Sequence, residues 1–454
     1  MRPQPPGPNG VPVFGNSHQF ADDPFAFMDA CADAYGDVVG IDLGPQPLYM
    51  LTNPRDIERV LVGETSSFPK LDLGDDAVDQ LLGDGLLTSG GAAWKDKRQR
   101  ANPAFHSGRI SSLAETMVDH TESMLADWDD GDRVDVHVEV ARLTVRIIVS
   151  AMFGTDIDSQ RVNAIQTHLE PLGRRFEPDP FSRLVPDWAP TKKNREFRAA
   201  VDALETIIDD IVAERRGTET GTRAEGDSES DSDEPMDLLS ILLRAQRHGE
   251  VSEGDIRDEM MTMLLAGHDT TALTLTYAWY LLSQHPAVEQ QLYAELDEVL
   301  GGDRPTAADS RRLSYTTNVL NEAMRLYPPV YTLFREAAVD AEFGGYRLPA
   351  GSGLMLPQWV VHRSPRWYDD PETFDPARWD SARSSERPRF AFFPFGGGPR
   401  HCIGKQFSML EATVILSTVA QEYTMEYLGS DDLQLRGSLT MHPEEPVAMR
   451  LRER

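Results

Sequence analysis

Cysteine is nearly absent: Cys31 and Cys402 are the only two in 454 residues, too few for a disulfide framework or a cysteine-rich metal cluster. Lysine is scarce as well. Lys70, Lys95, Lys97, Lys192, Lys193 and Lys405 stand against 38 arginines, and 74 acidic residues bring the formal net charge to −30. That balance argues against nucleic acid as a partner, since phosphate would meet a field of its own sign. It goes far beyond what solubility in dilute buffer needs. It fits a protein working in concentrated salt, where the screening length shrinks to about 3 Å at 1 M, and therefore a halophilic microbe. Also missing is an apolar run at the N-terminus, where MRPQPPGPNGVPVFG is proline and glycine punctuation rather than a signal peptide or anchor. A cytoplasmic protein without a membrane anchor is expected.

What is present, 40% hydrophobic and 26% charged residues, describes a soluble globular chain able to bury a large core. Pro24 to Ala34 reads as a short amphipathic helix on which Cys31 packs beside Phe27. VVGIDLG and PLYMLTN alternate like the strands of a hairpin, and Asn53 or Pro54 opens a helix through Val62. From Phe68 to Ala93, leucine, glycine and aspartate follow no period, which predicts an irregular loop. Residues 109–215 carry several helical periods split by turn signals such as Asp129 to Asp132 and Pro178 to Pro180. The acidic run from Arg216 to Pro235 has nothing to bury, so residues 216–236 are expected to form a disordered surface insertion.

Asp255 to about Ser283 is a long helix, apolar almost all round from Met260 onward except at Gly267, His268, Asp269, Thr270 and Thr271. Such a helix is either a membrane span or the centre of a large core. The polar cluster decides for the core, because charged and hydroxyl groups buried mid-helix are costly unless they act.

The other concentrated signal is FGGGPRHCIG at 395–404. A thiolate that ligates iron needs backbone N–H groups aimed at sulfur and a chain able to approach a flat macrocycle. Gly396, Gly397 and Gly398 let such a loop fold tightly, Pro399 stiffens it, and Gly404 leaves room for the ring. Arg400 offers a cation to a haem carboxylate and Phe395 an apolar shield for sulfur.

Phe395, Gly398, Arg400, Cys402 and Gly404 at this spacing resemble the cytochrome P450 family, and the resemblance extends over nearly the whole chain. It implies a mainly α fold with a small β region, one domain over 1–454, with haem b between the long central helix and the cysteine loop. By the same resemblance Cys402 is the axial thiolate and Ala266 to Thr271 cross above the iron. Asp269 and Thr270 form an acid–alcohol pair that relays protons. Trp94 and Arg98, four apart on one helical face, and Arg335 would hold haem propionates. Glu322, Arg325 and Arg378 match the family's buried triad, although Ala377 stands where a glutamate is usual. Substrate would meet the leucines of the stretch Leu71, Asp72, Leu73 and Gly74, together with Ala266, Thr332, Leu333 and the hairpin tip near Leu439 and Thr440. Phe176 to Lys193, around Trp188, looks like the family's flap over the channel or a plain proline-rich loop.

The implied reaction is insertion of one oxygen atom from O₂ into an apolar molecule such as a fatty acid, terpenoid or carotenoid. No flavin domain follows, so electrons are expected from a ferredoxin-type partner on the basic face near Lys95, Lys97, Arg98, Arg100 and Lys405, with the protein a monomer. Two alternatives stand beside this reading. One is a peroxide-driven peroxygenase or isomerase, against which Asp269 and Thr270 argue; the other is a non-enzymatic haem redox or gas sensor.

Overall fold

Ser252 starts the longest buried element: its hydroxyl accepts the Asp255 N–H at 3.1 Å while Asp255 accepts the Ser252 N–H at 2.8 Å. This reciprocal cap satisfies donors that a helix start leaves open. The helix runs Glu253–Gln284 with most side chains from Met260 to Leu282 buried, as an all-round apolar helix requires. No helix among the described residues is long and apolar enough to cross a membrane. In this computed structural model those residues are 4–44, 46–71, 76–179, 188–224, 236–429 and 433–454.

The central helix packs along the helix Val136–Ile148. Gly267 permits the crossing, because a Cβ there would meet Ile148 Cδ1 at 2.6 Å. Thr144 fastens the same point by donating its hydroxyl to the His268 carbonyl at 3.0 Å. On another side lies the helix Lys405–Glu422, which follows the cysteine loop and is joined to the central helix where Thr271 Oγ1 and Ser408 Oγ share a hydrogen at 3.0 Å.

The β region is small. Strands Val38–Ile41 and Leu48–Leu51 pair antiparallel with Val38 opposite Leu51, as the alternation predicts. Leu48–Leu51 then runs parallel to Ser352–Pro357, and that strand runs antiparallel to Thr332–Ala337. Against this sheet lies the helix Pro24–Tyr35, capped by Asp23. Cys31 is buried there near Phe27, and burial pushes its thiol up to about 11, the state of a packing residue.

Two sequence expectations need correction. Asp76–Leu82 is a helix inside the stretch expected to be irregular, with Ala77, Leu81 and Leu82 buried; glycines and aspartates on both sides hide that single apolar face. The second concerns the acidic insertion. The helix Lys192–Ala224 carries on through residues 216–224, and Arg216 donates to Glu253 at 3.0 Å and to Gln246 at 2.9 Å. Composition signals that nothing here is buried, yet a helix already nucleated lengthens at little cost. Residues 225–235 lie outside the described residues, as do 180–187 of the expected flap, whose Trp188 is exposed.

Candidate active site

Cys402 ends a loop whose shape its glycines dictate. Gly396 and Gly398 hold φ of +67° and +68°, a region that side chains disfavour. A Cβ on Gly398 would stand 1.8 Å from the Leu61 carbonyl oxygen. Gly396 N–H donates to Phe393 O at 2.8 Å and Cys402 N–H to Phe395 O at 2.9 Å, closing the turn. At Gly404 a Cβ would lie 3.9 Å from Cys402 Sγ and 3.8 Å from the Phe105 ring, ordinary contacts. Protein packing alone therefore tolerates alanine there, and the room left by glycine is room beside sulfur.

Cys402 is accessible to solvent although it lies deep in the protein, the combination shown by a residue lining an internal cleft. Burial pushes its thiol up; the N–H groups of Gly404 and Lys405 and the charges of Arg98 and Lys405 pull the other way. A metal cation taking the proton's place would let those donors stabilise the thiolate.

Three half-buried guanidiniums near the loop have no carboxylate partner among the described residues. Arg98, on the helix Gly91–Ala101, donates to His401 O at 3.0 Å. Arg400 donates to Ser89 O at 2.6 Å and stacks 4.6 Å from the Trp94 ring centre. Arg335 donates to the carbonyl of its own neighbour Phe334 at 2.7 Å. Burial pushes Arg335 down to about 10, with the Arg400 charge as the second cause; burial lowers Arg98 and Arg400 too. Clustered cations without counter-charge are costly, and haem propionates are anions of the right kind. The residues present therefore fit haem. When bound, haem supplies activation of dioxygen for insertion into substrate.

Ala266 is exposed midway along the otherwise buried central helix, between half-buried Leu265 and Gly267. A bare alanine at that place borders a cleft. Thr270 donates back to Ala266 O at 3.1 Å. Asp269 turns elsewhere, toward the C-terminal hairpin of strands Leu435–Gly437 and Met441–Pro443. Thr440 in the hairpin turn donates to Asp269 Oδ2 at 2.6 Å, and His442 Nε2 lies 3.3 Å from the same oxygen. Burial alone pushes the Asp269 carboxyl up, but the charge and hydrogen bond of His442, with His268 and His137 behind, hold it well below the usual carboxylate range. The expected pair is thus adjacent in sequence yet bonded apart, the alcohol to its own helix and the acid to the hairpin.

The triad assembles as expected. Arg325 Nε and Nη2 donate to the two Glu322 carboxylate oxygens at 2.9 and 2.8 Å, and Arg378 Nε donates at 3.1 Å. Trp379 Nε1 adds a fourth donor at 2.9 Å. Ala377 donates its N–H to Asp375 at 3.1 Å, so the lack of a glutamate at 377 leaves the cluster whole.

The pocket residues divide. Leu333 packs toward the cysteine loop, its Cδ1 3.5 Å from a Cβ built on Gly396. Strand alternation puts Arg335 on that face and buried Thr332 on the other. Leu439 is exposed in the hairpin turn beside Thr440. Leu71 is buried over Gly353 of the sheet, a core position; Asp72, Leu73 and Gly74 lie outside the described residues.

Lys97 also departs from expectation. Its side chain is only 11% exposed, with Nζ 3.3 Å from Asp255 and 3.4 Å from Glu259, so it fastens the start of the central helix instead of forming an open basic face. Lys95 and Lys405 remain exposed. Lys405 stands 5.5 Å over the Phe395 ring. Lys405, but not Lys95, lines a depression of ≈ 920 Å³ with Arg311, Arg389 and Met409 among its walls; Ala266, Asp269 and Thr270 are not among its lining residues, so it lies behind the cysteine loop and not over Ala266.

A sequence profile of the cytochrome P450 family matches residues 5–448. Cyclooctatin synthase of Streptomyces melanosporofaciens is 36% identical over 96% of this chain and 95% of its own. Cyclooctat-9-en-7-ol 5-monooxygenase of the same species is 33% identical over 92% and 88%, and pentalenene oxygenase of Streptomyces avermitilis 32% over 98% and 97%. The crystal structure of the cytochrome P450DA heme domain matches with a TM-score of 0.85 at 28% identity, over 100% of this chain and 98% of that one. This chain belongs to the cytochrome P450 family. It is a monooxygenase, an oxidoreductase that carries haem b on an axial cysteine thiolate.

His137 and His442 went unnoticed in the sequence. His137 begins a helix like many others; His442, two residues past Thr440 in a strand expected to return toward the pocket, carried the one usable signal.

Proposed function

We propose that Cys402 is the axial ligand, that Trp94, Arg98, Arg335 and Arg400 hold the propionates, and that the substrate is a terpenoid-like hydrocarbon or its alcohol. The observation that carries the first part is an accessible cysteine, deep in the chain, ringed by guanidiniums without carboxylates. The second part draws support from relatives whose names carry cyclooctat-9-en-7-ol and pentalenene. Thr270 holds a proton at Oγ1 beside the bare Ala266, and Asp269 takes protons in from the hairpin side. Reduced protein exposed to carbon monoxide should show the red-shifted absorption of a thiolate haem, and Cys402→Ala should abolish it; an unchanged spectrum in that variant sinks the assignment. Polycyclic alkenes should shift the iron spin state in a lipophilic screen. If fatty acids or carotenoids alone do so, the substrate class is wrong.

A ferredoxin-type donor docks, on this reading, at the depression behind the cysteine loop, where Lys405, Arg311 and Arg389 would meet an acidic partner. Lys405→Glu should slow reduction severalfold without altering substrate affinity, and an unaltered rate counts against that surface. The net charge of −30 supports a salt-rich cytoplasm as the working medium. There the unfolding midpoint should rise between low and molar salt.

A further inference from the structure

His137, Asp269 and His442 each present one ligand atom within 4.8 Å of the other two. They come from three elements: the helix Val136–Ile148, the central helix and the C-terminal hairpin. Asp269 Oδ2 and His442 Nε2 are already 3.3 Å apart. In a tetrahedral zinc site with bonds of about 2.0–2.2 Å, ligand atoms stand roughly 3.3 Å from one another. Side-chain adjustment of at most about 1.5 Å between any two ligand atoms therefore closes the set.

The surroundings prepare these groups for a cation. Thr276 donates its own hydroxyl hydrogen to Ala272 O at 2.7 Å, which leaves its oxygen free to accept from His137 Nδ1 at 3.5 Å. An outer bond of this kind orients a metal-binding imidazole and leaves the other nitrogen bare. Burial keeps His137 neutral at ordinary pH and Asp269 is held ionised, the forms that ligate. Thr440 Oγ1, 2.6 Å from Asp269 and 2.9 Å from His442, sits at the edge of the set. Of the neighbouring cationic groups, Arg436 is paired with Glu177 at 2.5 Å and His268 is bonded through Nδ1 to Leu264 O at 2.8 Å. An ion must displace the contact between Asp269 and His442, so micromolar rather than nanomolar affinity is expected.

We propose that His137, Asp269 and His442 bind one divalent ion of the zinc type, which pins the hairpin to the central helix and withdraws Asp269 from proton delivery. The withdrawal rests on the monooxygenase reading; the binding does not. Haem-loaded protein, freed of metal by chelation, is titrated with zinc(II) alone by calorimetry, and bound zinc is counted after equilibrium dialysis. One zinc per chain is expected, weakened at least tenfold by His442→Gln and by His137→Gln. Each variant's haem absorption reports its folding, and because the two lie in different elements, either one that folds decides. No retained zinc, or binding in a folded variant as tight as in the parent, overturns the site. Zinc should also slow dioxygen-dependent turnover of the parent but not of His442→Gln. Zinc bound without slowing turnover removes the regulatory half, whereas zinc bound to a chain that oxidises nothing removes the monooxygenase reading and leaves the site standing.

Discussion

Thr440 and Asp269 are 171 residues apart in the chain and 2.6 Å apart in space. The hairpin and the polar centre of the central helix are therefore one unit, reinforced by Tyr277, whose hydroxyl donates to Met441 O at 2.7 Å. A hydrogen bond to a charged acceptor contributes about 1.5–3 kcal/mol. Thr440→Val should lower stability in denaturant by about 1–2 kcal/mol, since His442 remains, and should reduce turnover more than substrate affinity. Thr440→Ser restores both. A valine variant equal to the parent in both assays refutes the link.

The arginine cluster makes a prediction about haem retention. If Arg335 and Arg400 meet propionates, each charge-assisted bond lost in Arg335→Ala or Arg400→Ala removes about 1.5–3 kcal/mol. Haem transfer to an excess of apomyoglobin should then run roughly ten to a hundred times faster. In the haem-free protein the same variants should be no less stable than the parent, because a repulsion has been relieved. A loss of apoprotein stability with unchanged haem transfer would assign these residues to packing instead.

Glu322 and Arg325 are fully buried and Arg378 nearly so. Removing one partner strands the remaining charge, at about 3–5 kcal/mol. Arg325→Ala should show that loss in urea unfolding. Glu322→Gln should cost as much, because it leaves two guanidiniums without a counter-charge and turns an amide NH2 toward groups that donate to both Glu322 oxygens. A Glu322→Gln variant much milder than Arg325→Ala would mean that charge is not what the cluster provides.

His362 supplies a pH dependence. Its Nε2 accepts the Phe393 N–H at 3.0 Å, and Phe393 O in turn accepts from Gly396, so a neutral imidazole anchors the base of the cysteine loop. Burial pushes this imidazole down to about 3 from 6.5, with the Arg325 charge second. A folded value below the unfolded one means that the unfolded chain binds the extra proton between these limits. Stability is therefore complete above pH 6.5 and falls as pH drops toward 3, by up to about 1.4 kcal/mol per pH unit. Acid titration followed by the haem absorption should show the loss, and His362→Asn, which accepts without titrating, should flatten it. An unaltered acid profile in that variant would place the acid lability elsewhere.

Local spacing made much of this legible. The glycines before Cys402, the polar break in the central helix, and the pair Glu322 and Arg325 lie within a few residues of one another, where backbone period and chain stiffness decide what meets. Arg378 and Arg335 came from resemblance; Arg378 joins Glu322 at 3.1 Å, and Arg335 donates to the Phe334 carbonyl at 2.7 Å. Lys97 was misplaced because a run of basic residues does not say which one turns inward, and its partners Asp255 and Glu259 lie 158 or more residues on.

From the amino-acid order alone came the cysteine loop, the core helix with its hydroxyls, and a charge that repels nucleic acid, since each depends on composition or on neighbours along the chain. Only the tertiary structure decided that Asp269 turns to the hairpin and that two unremarked histidines join the carboxylate. Those meetings arise where packed helices and strands bring distant segments together, and closure of a long chain leaves almost no trace in local pattern.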